Sequence, residues 1–428
     1  MRRGWVLALS CLTIVLVVVD LTAVTIALPD IRRDLDASLE QIQWVVDAYA
    51  LTLAVALLPA GILADRYGRR RLLAAGVTVF TLASLGCALS TSALMLDLFR
   101  GLQGLGASAL YGTTTPLIGA VYPDGPERGR ALGIFSAVSG LAMTLGPVVG
   151  GVLTTLFDWR AIFLINLPIG VFVLITLRAR VPESLGSGRI NPLGTLLLAA
   201  GLFAIVPALI HGLWWLLAIG LAALAGFAWL DRDTVRLFAS RTFAVGTAST
   251  FLIMAALLGA ATYLALYVQG PLHASAMEAG LRFLTFSAAA VIGPIAIGRV
   301  LHRWPMWLLI ATGPALIAVA LLVMAIPAGW TSIMPGLVLS GLGLGAGNVV
   351  ANQVGLLAPP DRLGLATGVV NTAKQVGTAF GVALLALPYG TSITLALMVA
   401  AGLSLAGALL PVALRAGITT RSAGASPR

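Results

Sequence analysis

Charge is what this chain has least of. Only 10% of its 428 residues are Asp, Glu, Lys or Arg, 59% are hydrophobic and the mean hydropathy is +1.01, values that exclude a water-soluble globular domain. Lysine occurs once, as Lys374. A phosphate loop needs Gly-Lys-Ser/Thr, and Lys374 follows Ala373, so an ATP-driven pump is excluded. The three histidines, His211, His273 and His302, stand apart from one another, so the His-Glu-x-x-His spacing of a zinc hydrolase is missing, and no Gly-x-Ser-x-Gly elbow occurs. The chain is therefore not read as an enzyme. Its two cysteines, Cys11 and Cys87, lie inside apolar runs and read as small buried residues rather than a disulfide or a metal pair. A nucleic-acid binder would gather the net charge of +10 on one solvated face, whereas here the basic residues come in short groups between apolar runs.

A membrane-spanning helix needs about 20 apolar residues. Apolar windows bounded by charges or by Gly/Pro clusters predict helices over 5–29, 43–64, 72–92, 94–121, 131–156, 161–178, 191–210, 212–230, 243–269, 279–298, 306–326, 331–357, 366–387 and 391–414, fourteen in all. The first follows Arg2 and Arg3 but is too long for a signal peptide, contains Asp20 and lacks a small-residue cleavage site, so it reads as a retained helix. With the N-terminus inside, 20 of the 26 basic residues fall on the cytoplasmic side; Arg32, Arg33, Arg160 and Arg282 fall outside, and Arg100 and Lys374 lie within spans. Both termini are expected in the cytoplasm, and the abundance of Arg, Ala and Gly points to a bacterial cytoplasmic membrane.

The sequence also repeats. Gly61-Ile-Leu-Ala-Asp65-Arg66-Tyr67-Gly68, between the second and third spans, has a degraded counterpart in Gly298-Arg-Val-Leu-His302-Arg303-Trp304-Pro305, between the tenth and eleventh. The expected fold is an all-α integral membrane protein of 14 transmembrane helices, two six-helix bundles related by a pseudo-twofold axis plus two central inserted helices. Its parts are an N-terminal bundle at 1–178, a cytoplasmic linker at 179–190, the inserted pair at 191–230, a second linker at 231–242, a C-terminal bundle at 243–414 and a tail at 415–428.

Ionisable groups inside a membrane are costly and are functional candidates by default. Asp20 lies about nine residues from the outer end of the first span and Arg100 about seven from that of the fourth, hence roughly 13 and 10 Å deep. The similar depths let them communicate, and a carboxylate so situated can carry a proton; a structural Asp20–Arg100 bridge, or a hydrogen-bonded Asp at a helix contact, is the alternative. Asp97, one turn before Arg100, offers a local i, i+3 ion pair as the simpler reading of that residue, and Asp47 is either a cavity group or an interfacial carboxylate. In the second half, Asn348 and Asn352 share one face of the twelfth span and Asn371, Lys374 and Gln375 one face of the thirteenth. These five, with Gln103, are candidates for a substrate cavity or for hydrogen bonds between helices. Gly146, Pro147, Gly150 and Gly151 in the fifth span read as a bend and a close-packing notch. The loop holding Gly61, Asp65, Arg66, Gly68, Arg69 and Arg70 reads as a charge-based latch between helix ends.

These stretches resemble the major facilitator superfamily, and within it the fourteen-helix drug:proton antiporter branch. Gly61 to Leu73 is similar to the superfamily's loop motif almost throughout. Leu96-Asp-Leu-Phe-Arg100-Gly-Leu-Gln103-Gly104-Leu-Gly106-Ala107 resembles its fourth-helix motif, whose arginine the resemblance ties to proton transfer. The fifth span resembles the antiporter pattern Gly-x-x-x-Gly-Pro-x-x-Gly-Gly, with Ala142 at the first glycine. Asp20-Leu-Thr22-Ala-Val-Thr-Ile-Ala27-Leu-Pro29 is similar to the branch's first-helix motif, with Thr25 where asparagine is usual, and Trp159-Arg160-Ala-Ile-Phe163-Leu-Ile-Asn166-Leu-Pro168 to its entry into the sixth helix. The resemblance implies export of a small, largely apolar organic compound such as an antibiotic in exchange for protons, by a monomer that uses no cofactor and no ATP. Its partners are the substrate, protons and the lipid bilayer. An importer or uniporter of a small metabolite on the same fold is the alternative. No acidic residue lies inside the ninth to fourteenth spans, so one coupling carboxylate, Asp20, is expected rather than two.

Overall fold

A computed structural model of the chain describes residues 2–181, 183–184, 192–211, 213–273, 276–326 and 328–415, and among them the regular structure is entirely helical. In chain order the α-helices are α1 (Arg2–Asp34), α2 (Leu39–Tyr67), α3 (Arg69–Ala88), α4 (Ala93–Val121), α5 (Pro126–Leu156), α6 (Ala161–Leu164), α7 (Asn166–Arg180), α8 (Pro192–His211), α9 (Trp214–Leu230), α10 (Arg232–Leu237), α11 (Arg241–Gln269), α12 (Ala276–Val300), α13 (Met306–Met324), α14 (Trp330–Gly355), α15 (Leu363–Thr391) and α16 (Ile393–Ala413). Each apolar window of the sequence is met by a helix. Several helices run past their windows because the windows count only the apolar stretch, whereas the hydrogen-bonded ladder continues into the charged ends; α1 goes on through Arg32 and Arg33 to Asp34, while α3, α13, α14 and α16 stop short of theirs. Among the described residues, ten segments are long and apolar enough to cross a membrane by length and composition. The 29-residue α4 and α15, the first carrying Asp97, Arg100 and Gln103 and the second Asn371, Lys374 and Gln375, fall outside the ten. Large side chains such as Leu82, Leu98, Ile175 and Leu387 stay exposed, as a lipid-facing surface requires. The short α10 sits in the stretch read as a second linker. Residues 182 and 185–190 of the first linker, 191 and 212 of the inserted pair and 416–428 of the tail lie outside the described residues.

Helix starts follow local chemistry. Ser38 closes a capping box on α2, its Oγ accepting from the Gln41 amide while the Gln41 side chain accepts from the Ser38 amide. Ser92, Ser240 and Ser392 cap α4, α11 and α16 in the simpler way, each accepting one backbone N–H. Between α2 and α3 a single residue, Gly68, reverses the chain at φ +102°, which favours glycine; a Cβ there would also displace the end of the Glu183 side chain.

The chain divides into two compact units that are not continuous in sequence. Unit 1 comprises Met1–Tyr122, Leu141–Ile190 and Pro360–Gly368; unit 2 comprises Pro123–Gly140, Asn191–Pro359 and Val369–Arg428. Thus α5 gives its first part to unit 2 and the rest to unit 1, and α15 gives its first residues to unit 1. Unit 1 is built around Leu9, Tyr49, Leu73, Phe80, Leu110 and Leu177 and, nearer the other helix ends, Val24, Leu96, Trp159 and Phe163. The core of unit 2 joins α11, α13, α14 and α16 through Ile253, Leu257, Ile317, Leu321, Leu344 and Leu397.

Where lipid is the solvent, apolar contact between helices gains little, and small residues that let backbones approach select the pairs. The two halves of the sequence repeat use this in the same way. In unit 1 a methyl on Gly61 would run into the Gly364 carbonyl of α15; in unit 2 a methyl on Gly298 would run into the Gly129 carbonyl of α5. The first glycine of each repeat is thus a backbone-to-backbone crossing with the start of a helix far away in sequence.

Candidate functional site

Asp20 lies along α1 with its carboxylate closed off from solvent, at 1% exposure, and Arg100 on α4 is 0% exposed. Arg100 Nη1 donates to Asp20 Oδ2 at 2.6 Å and to Gln103 Oε1 at 2.7 Å, and Arg100 Nε donates to the Val45 carbonyl of α2 at 2.9 Å. Gln103 Nε2 donates to Asp20 Oδ1 at 2.9 Å and to Ser84 Oγ at 2.8 Å. Asn166 Nδ2, at the start of α7, donates to the same two atoms at 2.9 and 3.2 Å. Ser84 Oγ donates on to the Phe80 carbonyl at 2.8 Å. The guanidinium rests on the Tyr49 ring, 4.2 Å from its centroid, and Tyr49 Oη is held by the Val17 carbonyl at 3.2 Å.

A buried ion pair persists only where its remaining donors and acceptors are met. Here the carboxylate accepts three side-chain donors from two helices besides its own. Arg100 Nη2 finds no hydrogen-bond partner among the described residues, and the aromatic face beside the guanidinium offers it a cation–π surface instead. The sequence brings Asp20 and Arg100 to one depth; the structure joins them directly. Asp97 is not the ion-pair partner of Arg100, and its Oδ1 is buried without a hydrogen bond. Asp47 is exposed on α2, two residues beyond the Val45 carbonyl that holds Arg100, which places it outside any enclosed cavity. The reading of the sequence missed Ser84 and Tyr49, which carry no signal among their apolar neighbours, and it passed over Asn166, which does stand inside a motif-bearing stretch.

The fifth-span glycines lie next to this site. In unit 1, a Cβ on Gly146 would strike the Thr22 side chain and one on Gly150 the backbone of Ala23, so α5 and α1 meet almost backbone to backbone just past Asp20. Gly151 has ordinary clearance, its Cβ falling 4.0 Å from Ile26. Pro147 sits between them inside a continuous α5.

The loop motif forms a second cluster in unit 1. Asp65 Oδ1 accepts from the Gly364 amide at 3.0 Å and Oδ2 from the Leu365 amide at 2.9 Å, the unsatisfied N–H groups of the α15 N-terminus. Arg69 Nη2 donates to Asp65 Oδ1 at 3.0 Å and to the Pro360 carbonyl at 2.9 Å. Glu183, absent from the sequence candidates, caps the start of α3: its Oε1 accepts the Arg70 amide at 3.0 Å, and its Oε2 lies 3.6 and 3.7 Å from Arg70 and Arg71 Nε. Arg66 is exposed and joins neither group.

The candidates of the second half are less closely knit. In unit 2 Asn352 Nδ2 donates to Ser136 Oγ on α5 at 3.4 Å. Asn348 and Gln375 are half-buried, while Asn371 and Lys374 are buried at 3% and 7% exposure.

A helical bundle crossed by glycine contacts, with a buried acid–base pair and a charged loop at a helix end, defines a membrane transporter of the facilitator type. The chain belongs to the Major Facilitator Superfamily, which it matches over residues 10–382 and 246–427, a family of transporters. It is 32% identical over 388 residues to the multidrug resistance protein Stp of Mycobacterium tuberculosis, covering 84% of this chain and 71% of that one. It is 35% identical over 400 residues to the puromycin resistance protein pur8 of Streptomyces alboniger (88% and 79% covered), and 31% over 405 residues to the tetracenomycin C resistance and export protein of Streptomyces glaucescens (87% and 74%). The crystal structure of the human organic anion transporter MFSD10 (TETRAN) superposes with a TM-score of 0.75 at 14% identity, covering 96% of this chain and 99% of that one. The proton:xylose symporter XylE gives 0.71 at 13% identity, covering 98% and 97%. These two likenesses establish the fold.

Proposed function

We propose that the protein is a proton-coupled antiporter of a bacterial cytoplasmic membrane that exports a small, largely apolar organic compound by alternating access. The observation that carries the reading is the enclosed Asp20–Arg100 pair, braced by Gln103 and Asn166. Resistance and export functions in the names of three relatives support the direction of transport. Asp20 is the proton carrier: a proton arriving at Oδ2 competes with Arg100, so protonation and the ion pair are alternatives. One proton entering down the membrane potential supplies about 2.3 kcal/mol per 100 mV, before any pH gradient.

The chain in this reading crosses the membrane fourteen times with both termini in the cytoplasm, and α8 and α9, which pack on each other, are the pair inserted between two six-helix bundles. Asp65 and Arg69 are the latch: they hold the α15 N-terminus in one state and let it go in the other. The protein works as a monomer without cofactor or ATP, its partners being substrate, protons and lipid.

A resistance screen in an efflux-deficient bacterial host, with a chemically diverse toxin panel, tests the proposal. Cells carrying the parent tolerate at least one compound better than cells carrying Asp20→Asn at equal membrane expression. Equal protection by Asp20→Asn, with the same gradient-driven export of that compound in everted vesicles, would remove Asp20 as the coupling group.

A further inference from the structure

We infer that Lys374 and Asn371 form an anion-binding site within unit 2, and that the compound carried is an organic acid presenting a carboxylate; this rests on the export reading above. Lys374 is the chain's one lysine, 7% exposed. It stands eleven residues after Leu363 and seventeen before Thr391 on α15, about 16 and 25 Å from the two helix ends, too deep for its stem to carry the charge out to water. Its ammonium makes no hydrogen bond or ion pair with a described residue.

Other groups lie at its level. Gly377 and Gly381 of α15 close on Phe251 and Ala255 of α11, which sets the register of two parallel helices. One turn back along the same α11 face is Thr247, level with Lys374. Its Oγ1 is buried and unpartnered, as is Asn371 Oδ1, one turn before Lys374 on its own helix. α11 also meets α14 at Gly246 with Val354 and at Ile253 with Gly347, which brings Asn352 to the same level and Asn348 one turn further on.

No counter-charge for Lys374 is built into this unit. Its acidic residues, Asp124, Glu127, Asp231, Asp233 and Glu278, sit at or outside helix ends. Glu278 pairs with Arg282 and Asp124 with Arg128. A buried ammonium without a partner is costly, and an anion that arrives with the ligand removes that cost. The three protons of Nζ, the Thr247 hydroxyl and Asn371 Nδ2 are donors suited to carboxylate oxygens, whereas the unmet Asn371 Oδ1 is an acceptor and takes a donor rather than the anion. An amine at the same place meets like charge.

Equilibrium dialysis of the purified full-length protein against 1-naphthoate, 1-naphthamide and 1-naphthylmethylammonium tests this, because the three probes share a ring system and differ in charge. The parent binds naphthoate at least tenfold more tightly than the other two. Lys374→Met weakens naphthoate about tenfold and leaves the amide unchanged, while Lys374→Arg keeps the preference. Asn371→Asp, which supplies a carboxylate one turn from Lys374 and does not depend on tolerating a lost lysine, also weakens naphthoate about tenfold. Equal naphthoate affinity in Lys374→Met, a parental preference for the ammonium probe, or binding of none of the three overturns the site. Everted vesicles under an imposed pH gradient separate the two readings. Naphthoate selectivity without gradient-driven accumulation keeps the site and sinks export, whereas accumulation blind to probe charge keeps export and sinks the site.

Discussion

Arg100 Nη1 reaches across from α4 to Asp20 Oδ2 on α1 at 2.6 Å, and neither side chain touches solvent. Breaking such a pair from one side leaves a buried charge unmatched and costs about 3–5 kcal/mol, while removing both partners costs far less. Asp20→Leu and Arg100→Leu are each expected to lower the thermal midpoint of the detergent-purified protein more than the double substitution does. A double variant no more stable than the worse single one would show that the pair is not the unit.

Asn166 is tested by a smaller change. Asn166→Ala deletes one donor to Asp20 Oδ1 and Ser84 Oγ, both of which keep Gln103 Nε2, so what is lost is a hydrogen bond to a charged group, about 1.5–3 kcal/mol. Stability is expected to fall within that range, with turnover reduced under the export reading because Asp20 loses a brace. Turnover equal to the parent's would confine Asn166 to packing.

At the other end of unit 1, Asp65→Asn keeps an oxygen for one α15 amide and gives up the charge, where hydrogen bonds to charged groups are worth about 1.5–3 kcal/mol. Hydrogen exchange at the Gly364 and Leu365 amides should speed up at least tenfold. Under the latch reading transport slows while substrate binding is kept. Lost binding in a folded variant would count against that role.

The glycine notch gives a paired test. Gly150→Ala pushes a methyl into the Ala23 backbone, whereas Gly151→Ala meets only an ordinary contact with Ile26. Overpacking costs about 1–3 kcal/mol, so the first variant is expected to lose stability measurably and the second to match the parent. Equal melting of the two would mean that α5 and α1 yield more easily than their spacing implies.

Much of this was legible in the sequence, because helices in a membrane announce themselves by apolar length and because charge there is scarce enough to count. Asp20 and Arg100 stood out for that reason. What did not show was which neutral polar residues converge on them. Ser84 and Asn166 are separated from Asp20 by 64 and 146 positions, and a lone Ser or Asn in an apolar run reads the same whether it braces an ion pair or caps a local carbonyl. Asp97 misled because one turn of helix is a shorter path than a crossing between helices, yet Arg100 takes the crossing. Glu183 follows the end of α7, where it reads as one more surface charge until α3 is seen to begin against it.

The two glycines beyond Asp20 also assign a division of labour. With Thr22 and Ala23 pressed on the α5 backbone, α1 has no clearance to slide or turn by itself, so the carboxylate is the anchored member of its pair. Arg100 is wholly buried and held by the Val45 carbonyl, Gln103 Oε1 and the Tyr49 ring. Under the proposed proton coupling, release of the pair falls to the arginine, and a probe of the transport cycle belongs on α4, facing Tyr49, rather than on the acid itself.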